Sequence, residues 1–299
     1  MAGFKERLTE KLAHALTEKE SEILPSSFQR LGHVAIIRLK GELLPRKEII
    51  GEVVLTIVPG IKTVCLNTGK IDSEFRQPRV EYLCGENNTK VIHTEHGCRF
   101  AFDVTKLMWS MGNMNERKRM YEMIQPMEVV VDFFAGIGYW SIPIAHHTKA
   151  EHVYAIDANP DAIESLKENQ RLNKIPKEKM TILHGKCEEI APTLGRVADR
   201  IILGYLPAPA FALEPAFHTF KPRGGILHYE GVCGEGAHEE MLEEVRTIAV
   251  SLGWEIELAH AQKVKSMAPR KWHYVLDIRV RPIDWDEGSM GKKKKQKDH

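Results

Sequence analysis

Apolar residues recur along this chain with two different rhythms. Over residues 3–19, Phe4, Leu8, Leu12 and Leu16 fall four apart, which predicts an amphipathic first helix. HVAIIRL (33–39) reads as a strand, KEIIGEVVLTI (47–57) as a helix packed on it, and KTVCLN (62–67) as the next strand. Short β-rich runs follow, VEYLCG, TKVIHTEHG and CRFAFDV, separated by Gly and Asn turns. Together these predict a smaller N-terminal α+β domain over 1–105. The stretch TKLMWSMGNMNERKRMYEMI predicts a connecting helical segment over 106–128, broken at a Gly-Asn pair.

From Val129 the rhythm becomes strict alternation. Apolar strand runs (VVVDFF, HVYAID, MTILHG, DRIILGY, GGILHYE) alternate with helical runs (GYWSIPIAHH, PDAIESLKENQRLN, EEIAPTL, FALEPAFHTF, HEEMLEEVRTIAVSLG). WEIELAHAQKV and HYVLDIRV close the pattern as two strands with no helix between them. Strands that are apolar on both faces and alternate with helices form a mostly parallel, doubly wound sheet. The closing antiparallel hairpin makes this an α/β class I methyltransferase-type Rossmann fold over 129–283.

Composition narrows the setting. A hydrophobic content of 43% supports a packed core and excludes global disorder. The net charge of +1 gives no overall pull toward nucleic acid, but the basic stretch 284–299, GSMGKKKKQKDH at its close, reads as a solvated, disordered tail that could also touch phosphate. The five cysteines show no CxxC pair and no His/Cys cluster, so free thiols are expected, with no metal site. The charged start excludes a secretory signal, and no apolar run reaches membrane-spanning length, so a cytoplasmic protein without membrane association is expected. The oligomeric state is left open, with a monomer compatible.

The candidate chemistry begins at DFFAGIGYW (132–140), with Asp132 ending the first strand and Gly136 and Gly138 in the turn. Glycines there let the backbone approach a ligand at the carboxyl ends of the strands. The third glycine of the dinucleotide fingerprint is missing. The second strand ends in Asp157, where an acid can accept hydrogen bonds from ribose hydroxyls; a helix cap is the competing role, which Asn159 could also fill. Turn, acid and closing hairpin favour S-adenosyl-L-methionine over a nicotinamide cofactor. At the third strand's end Lys186 stands where an adenine-reading acid is expected, and lysine cannot accept a hydrogen bond.

The segments SMGNMNERKRM, DFFAGIGYWSIPIA, NQRLN, DRIILGYLP, KPRGGILHYE and VKSMAP…WHYVLDIRV together resemble the wybutosine-synthesising protein 2 family in its short archaeal form, from about residue 20 to 282. The resemblance implies S-adenosylmethionine as group donor and phenylalanine tRNA, at its anticodon loop, as partner. It implies transfer of the 3-amino-3-carboxypropyl group to 4-demethylwyosine, releasing 5′-methylthioadenosine. The tRNA guanine-N1 methyltransferases are similar but carry Asn where Gly204 stands and Arg where Gly112 stands. A methyltransferase of that kind, or a non-catalytic tRNA-binding protein, are the alternatives.

From this resemblance the cofactor-binding set is Phe134, Gly136, Gly138, Asp157, Ala158, Cys187, Leu203, Gly204 and Pro207, with Leu203–Pro207 forming an apolar wall. Ser110 and Arg117, with Lys118 as a further candidate, are expected at the amino-acid end. Glu116 is the expected general base, although it and the neighbouring Arg117 and Arg119 equally suit an ordinary helix surface. His228, Tyr205 and Trp140 are cleft candidates whose alternative is packing. Candidate phosphate contacts are Arg30, Arg38, Arg46, Lys47, Arg76, Arg79 and Lys292–Lys295.

Overall fold

A computed structural model describes residues 2–69 and 77–283. Arg76 and the lysine-rich tail lie outside the described residues. The chain divides into two compact units, one holding residues up to Met111 together with Glu164–Asn173, the other holding Gly112–Ile163 and the chain from Lys174.

The first unit opens with α1 (Phe4–Leu12) and α2 (Glu18–Glu22). The single helix expected over 3–19 is therefore two. At Thr17 a capping box starts a new helix: Glu20 N donates to Thr17 Oγ1 (3.3 Å) while Thr17 N donates to Glu20 Oε2 (2.8 Å). This local exchange satisfies the first free N–H groups of α2 and outcompetes continuation of α1. Next come β1 (Gln29–Leu31), β2 (Val34–Ile37), α3 (Lys47–Ile57), β3 (Thr63–Asn67) and β4 (Val80–Gly85), forming a sheet of order β1-β2-β3-β4. Only β2 and β3 run parallel, with α3 as their crossover. Leu8 and Leu12 of α1 meet Ile50, Val54 and Ile57 of α3 in this core.

The hairpin β5 (Lys90–Glu95) and β6 (Cys98–Asp103) completes this unit. Asn169 and Asn173, both in the NQRLN stretch, bind its backbone. Asn169 Oδ1 accepts from Ala101 N (2.6 Å), and Asn173 takes both Arg99 N (2.8 Å) and, through Nδ2, Arg99 O (2.7 Å). Two side-chain amides thus do for β6 what a neighbouring strand would do.

The second unit begins with α4 (Met114–Glu122) and continues β7 (Val129–Asp132), α5 (Ser141–His147), β8 (His152–Asp157), α6 (Pro160–Leu172), β9 (Met180–His184), α7 (Cys187–Leu194), β10 (Arg200–Leu203), α8 (Leu213–Thr219), β11 (Gly225–Cys233), α9 (His238–Ser251), β12 (Trp254–Ala268) and β13 (Lys271–Pro282). The distal part of α6 belongs to the first unit. The sheet order is β12-β13-β11-β10-β7-β8-β9, and β13 is antiparallel to both neighbours. This is the doubly wound sheet with a closing hairpin read from the sequence. β7 and β10 are buried at every position, as central parallel strands must be. No helix among the described residues is long and apolar enough to cross a membrane.

Candidate active site

The order of strands reverses at β7, with β8 on one side and β10 on the other, so a crevice opens at their carboxyl ends. The turn after β7 is built for close approach. Gly136 has φ +56°, and a Cβ there would lie 2.5 Å from the Tyr139 ring, so no other residue fits without displacement. Gly138 also has positive φ, +97°. Gly136 N donates to Asp157 Oδ2 (2.7 Å) and Asn159 N donates to Asp157 Oδ1 (2.8 Å). These bonds fix the carboxylate, and each oxygen keeps a lone pair for a further donor. Burial raises the Asp157 pKa above the usual carboxylate value, against the pull of the two backbone N–H groups. The helix-cap role falls to Asn159, whose Oδ1 accepts from Asp161 N at 3.0 Å.

Asp132 ends β7 fully buried, taking Ser141 Oγ at 2.6 Å and Phe134 N at 3.3 Å. Its carboxyl is pushed up to about 7, chiefly by burial and further by the charges of Asp157 and Glu230, with the two hydrogen bonds opposing. Two carboxylates that both act electrostatically on a third acid suit a cationic ligand. Paired with the glycine turn and the open lone pairs of Asp157, they fit a nucleoside bearing a positive charge, as S-adenosylmethionine does.

The rim after β10 departs from the expected wall. Leu203 is fully buried in the core with Val131, Phe133 and Tyr229, so its side chain is structural and only its backbone can serve the crevice. The apolar surface is made instead by Phe134, Tyr205 and Phe211. Phe134 and Tyr205 have ring centroids 5.1 Å apart, and Tyr205 and Phe211 meet edge-on at 5.5 Å. Gly204 is half-buried, and a Cβ there would meet Trp140 Nε1 at 2.9 Å and Glu230 Oε1 at 3.5 Å. Pro207 is exposed, and its carbonyl accepts from Val232 N at 2.9 Å. Trp140 is only 4% exposed, which makes it a packing residue rather than a stacking platform.

Cys187 begins α7 but is buried in the core, with its thiol donating to Glu188 Oε2 (3.0 Å) and its pKa pushed far up, first by burial. Ala158 is half-buried, and its carbonyl faces His184 Nε2 at 3.2 Å. Lys186 is exposed.

On α4 the expected general base has other employment. Glu116 is 3% exposed, and both its oxygens are held by Arg119: Nε at 3.1 and 2.9 Å, Nη2 at 2.5 Å. Both carboxylate oxygens are therefore engaged in charge-assisted hydrogen bonds to the guanidinium. Arg119 continues to Asp277 of β13 (Nη1 to Oδ2, 2.5 Å), and Asp277 Oδ1 faces His228 Nδ1 of β11 at 2.6 Å. His228 Nε2 faces Arg200 Nη1 of β10 at 2.7 Å, and Arg200 pairs with Glu128 at 2.8 and 2.9 Å. A guanidinium can only donate, so Nε2 accepts and Nδ1 carries the proton toward Asp277. Burial lowers the pKa of His228, against the pull of Asp277, and holds it neutral. His228 is thus structural. The whole chain of charges pins α4 to the sheet.

Arg117 is buried at 2% exposure, which overturns its reading as solvated surface. Lys118 is exposed and pairs with Glu122 at 3.6 Å. It stands two positions from Glu116, on the opposite face of α4. Ser110 lies half-buried at the end of the first unit. Of the proposed phosphate contacts, Arg46 pairs with Glu20 (3.3 Å), Lys47 lies 3.9 Å from Glu48 and Glu81, and Arg38 is exposed.

Sequence reasoning missed Glu230 and its partner His273. The signal was present: Glu230 follows His228 as a second charged-type residue in an otherwise apolar strand, two residues along and hence on the same face.

Residues 91–257, more than half of the chain, match the family described as TRM5/TYW2 methyltransferase domain. The chain belongs to the TRM5/TYW2 methyltransferase family. Residues 8–89 of this TRM5/TYW2 family member match the TYW2 N-terminal domain. A tRNA(Phe) (4-demethylwyosine(37)-C(7)) aminocarboxypropyltransferase of Methanocaldococcus jannaschii is 37% identical over 258 residues, covering 86% of this chain and 98% of the relative. A tRNA (guanine(37)-N(1))-methyltransferase Trm5b of Pyrococcus abyssi is 36% identical, covering 86% of this chain and 76% of that protein. The crystal structure of P. horikoshii TYW2 in complex with MeSAdo superposes with a TM-score of 0.81 at 34% identity, covering 93% of this chain and 99% of that one.

Proposed function

We propose that this protein transfers the 3-amino-3-carboxypropyl group of S-adenosylmethionine to 4-demethylwyosine beside the anticodon of phenylalanine tRNA. The observation that carries this reading is the match to an aminocarboxypropyltransferase over 98% of that relative and 86% of this chain, joined to a TYW2-type N-terminal domain over residues 8–89. Gly204 supports it, because the Trp140 ring excludes a polar side chain from the position where the methyltransferase pattern carries Asn.

S-adenosylmethionine supplies an electrophilic carbon on a sulfonium and leaves as 5′-methylthioadenosine. Asp157 accepts from the ribose, and the glycine turn at Gly136 and Gly138 lets the backbone close on the nucleoside. Asp157 and Glu230 bring negative charge to the crevice, where both act on Asp132. Tyr205, Phe134 and Phe211 present an apolar face suited to a tricyclic base. Arg117, buried on α4, is the candidate clamp for the donor's carboxylate. Glu116 is held by Arg119, a contact that fixes α4. Alignment, rather than a nucleophilic side chain, is the protein's contribution, and it supplies several kcal/mol, up to about 7–11, in well-oriented systems.

The test incubates the protein with S-adenosylmethionine and tRNA bearing 4-demethylwyosine, and reads the mass of the modified base and the released nucleoside. An aminocarboxypropyl increment with 5′-methylthioadenosine is expected. A methyl increment with S-adenosylhomocysteine would refute the reading, and an unmodified base despite cofactor and tRNA binding would establish the non-catalytic alternative.

A further inference from the structure

Glu230 lies within β11, one position past its last pairing with β10, at 2% exposure, an unusual place for a carboxylate. One oxygen is accounted for: Oε2 lies 2.9 Å from His273 Nε2, which donates because a carboxylate can only accept. The other, Oε1, is buried with no hydrogen-bond partner among the described residues. Its neighbourhood is the crevice rim, since Leu203 pairs with Tyr229 across β10 and β11, placing Gly204 beside Glu230. Oε1 lies 3.5 Å from where a Gly204 Cβ would stand, and Trp140 Nε1 lies 2.9 Å from the same point. The missing side chain at 204 leaves a tight slot beside a buried, unpartnered carboxylate oxygen. Its charge also reaches the floor of the crevice, where it helps push the Asp132 carboxyl up to about 7.

A buried anionic acceptor costs free energy unless a donor meets it. The donor that fits is compact and cationic, because Trp140 leaves little room beside Gly204 and the acceptor there is a carboxylate. A second carboxylate would be repelled. We infer that Glu230 binds the ammonium of the aminocarboxypropyl arm through the Gly204 slot, with His273 as the residue that positions the carboxylate. This rests on the transferase reading above and names the group that sets the arm's orientation. The ammonium end then anchors on the β10–β11 side. A residue larger than glycine at position 204 would close this contact off.

The test measures equilibrium binding to the full chain of three nucleosides. S-adenosylmethionine carries both ammonium and carboxylate, its decarboxylated analogue keeps only the ammonium, and 5′-methylthioadenosine lacks the arm. Glu230→Gln should weaken the first two about 10- to 100-fold, the range for a charge-assisted hydrogen bond, and change 5′-methylthioadenosine less than about twofold. Unchanged affinity for the decarboxylated analogue, or a parallel loss of 5′-methylthioadenosine, overturns the assignment. If Glu230→Gln does not fold, Gly204→Ala reads the same slot with the carboxylate intact. It should show the same selective loss, and an equal loss for all three nucleosides overturns the assignment. Product mass separates the two claims: a methylated base with ammonium discrimination intact sinks the transferase reading alone, and an aminocarboxypropylated base without discrimination sinks the ammonium site alone.

Discussion

Removing Arg119 is the most searching test of how α4 is held. The buried chain Glu116–Arg119–Asp277–His228–Arg200–Glu128 sets three carboxylates against two guanidinium groups, with the imidazole neutral. Arg119→Ala leaves Glu116 and Asp277, at 3% and 5% exposure, as unbalanced buried anions. Deleting one partner of a buried ion pair costs about 3–5 kcal/mol, far more than the net worth of the intact pair, because the abandoned charge stays desolvated. Lys118→Ala, which breaks only the exposed pair with Glu122, is the control and should cost under about 0.5 kcal/mol.

Urea denaturation followed by tryptophan fluorescence gives both values, and pH adds a second reading. Asp277 is held far below the usual carboxylate range by His228 and Arg119, despite burial. A depressed pKa contributes stability above the unfolded value, near 4, which is lost as pH falls through the folded value. In Arg119→Ala the Asp277 carboxylate loses one of the two partners that hold its pKa down and protonates more readily, so the deficit against wild type should narrow below about pH 4. A loss under about 1 kcal/mol at pH 7, or a deficit independent of pH, would refute the claim that Arg119 neutralises both acids.

Two further outcomes follow from the crevice. Asp157→Asn, which replaces an ionised acceptor of donor hydroxyls by an amide, should weaken S-adenosylmethionine about 10- to 100-fold by calorimetry, and an unchanged Kd would remove Asp157 from the site. Asp132, pushed up to about 7 in the folded chain, is favourable to folding when protonated, so its contribution is full below the unfolded value near 4 and is lost as pH rises toward 7. The difference of about three pH units corresponds to about 4 kcal/mol. Asp132→Asn should therefore flatten the stability profile between pH 4 and 7, and a profile parallel to wild type would show that burial does not govern this carboxyl.

The alternation of apolar strands with helices from Val129 onward was enough to determine the doubly wound sheet, because buried parallel strands need apolar residues on both faces. The glycine turn and Asp157 were legible for a related reason, since positive φ and close approach restrict position 136 to glycine and fix the acid at a strand end. The helix break at Thr17 was available in the TEKE spacing but hidden by the four-residue apolar period running through it. What tertiary structure alone decided was the employment of the charged residues. Glu116 and Arg119 are three apart on one helix, yet Asp277 lies 158 residues beyond Arg119. Leu203 and Gly204 are neighbours in sequence, yet one fills the core and the other opens beside Glu230. Local pattern specifies burial and conformation, because both depend on a few neighbouring residues. The partner of a buried charge depends on which strands the sheet brings side by side, and β11 and β13 meet only once the closing hairpin has folded back.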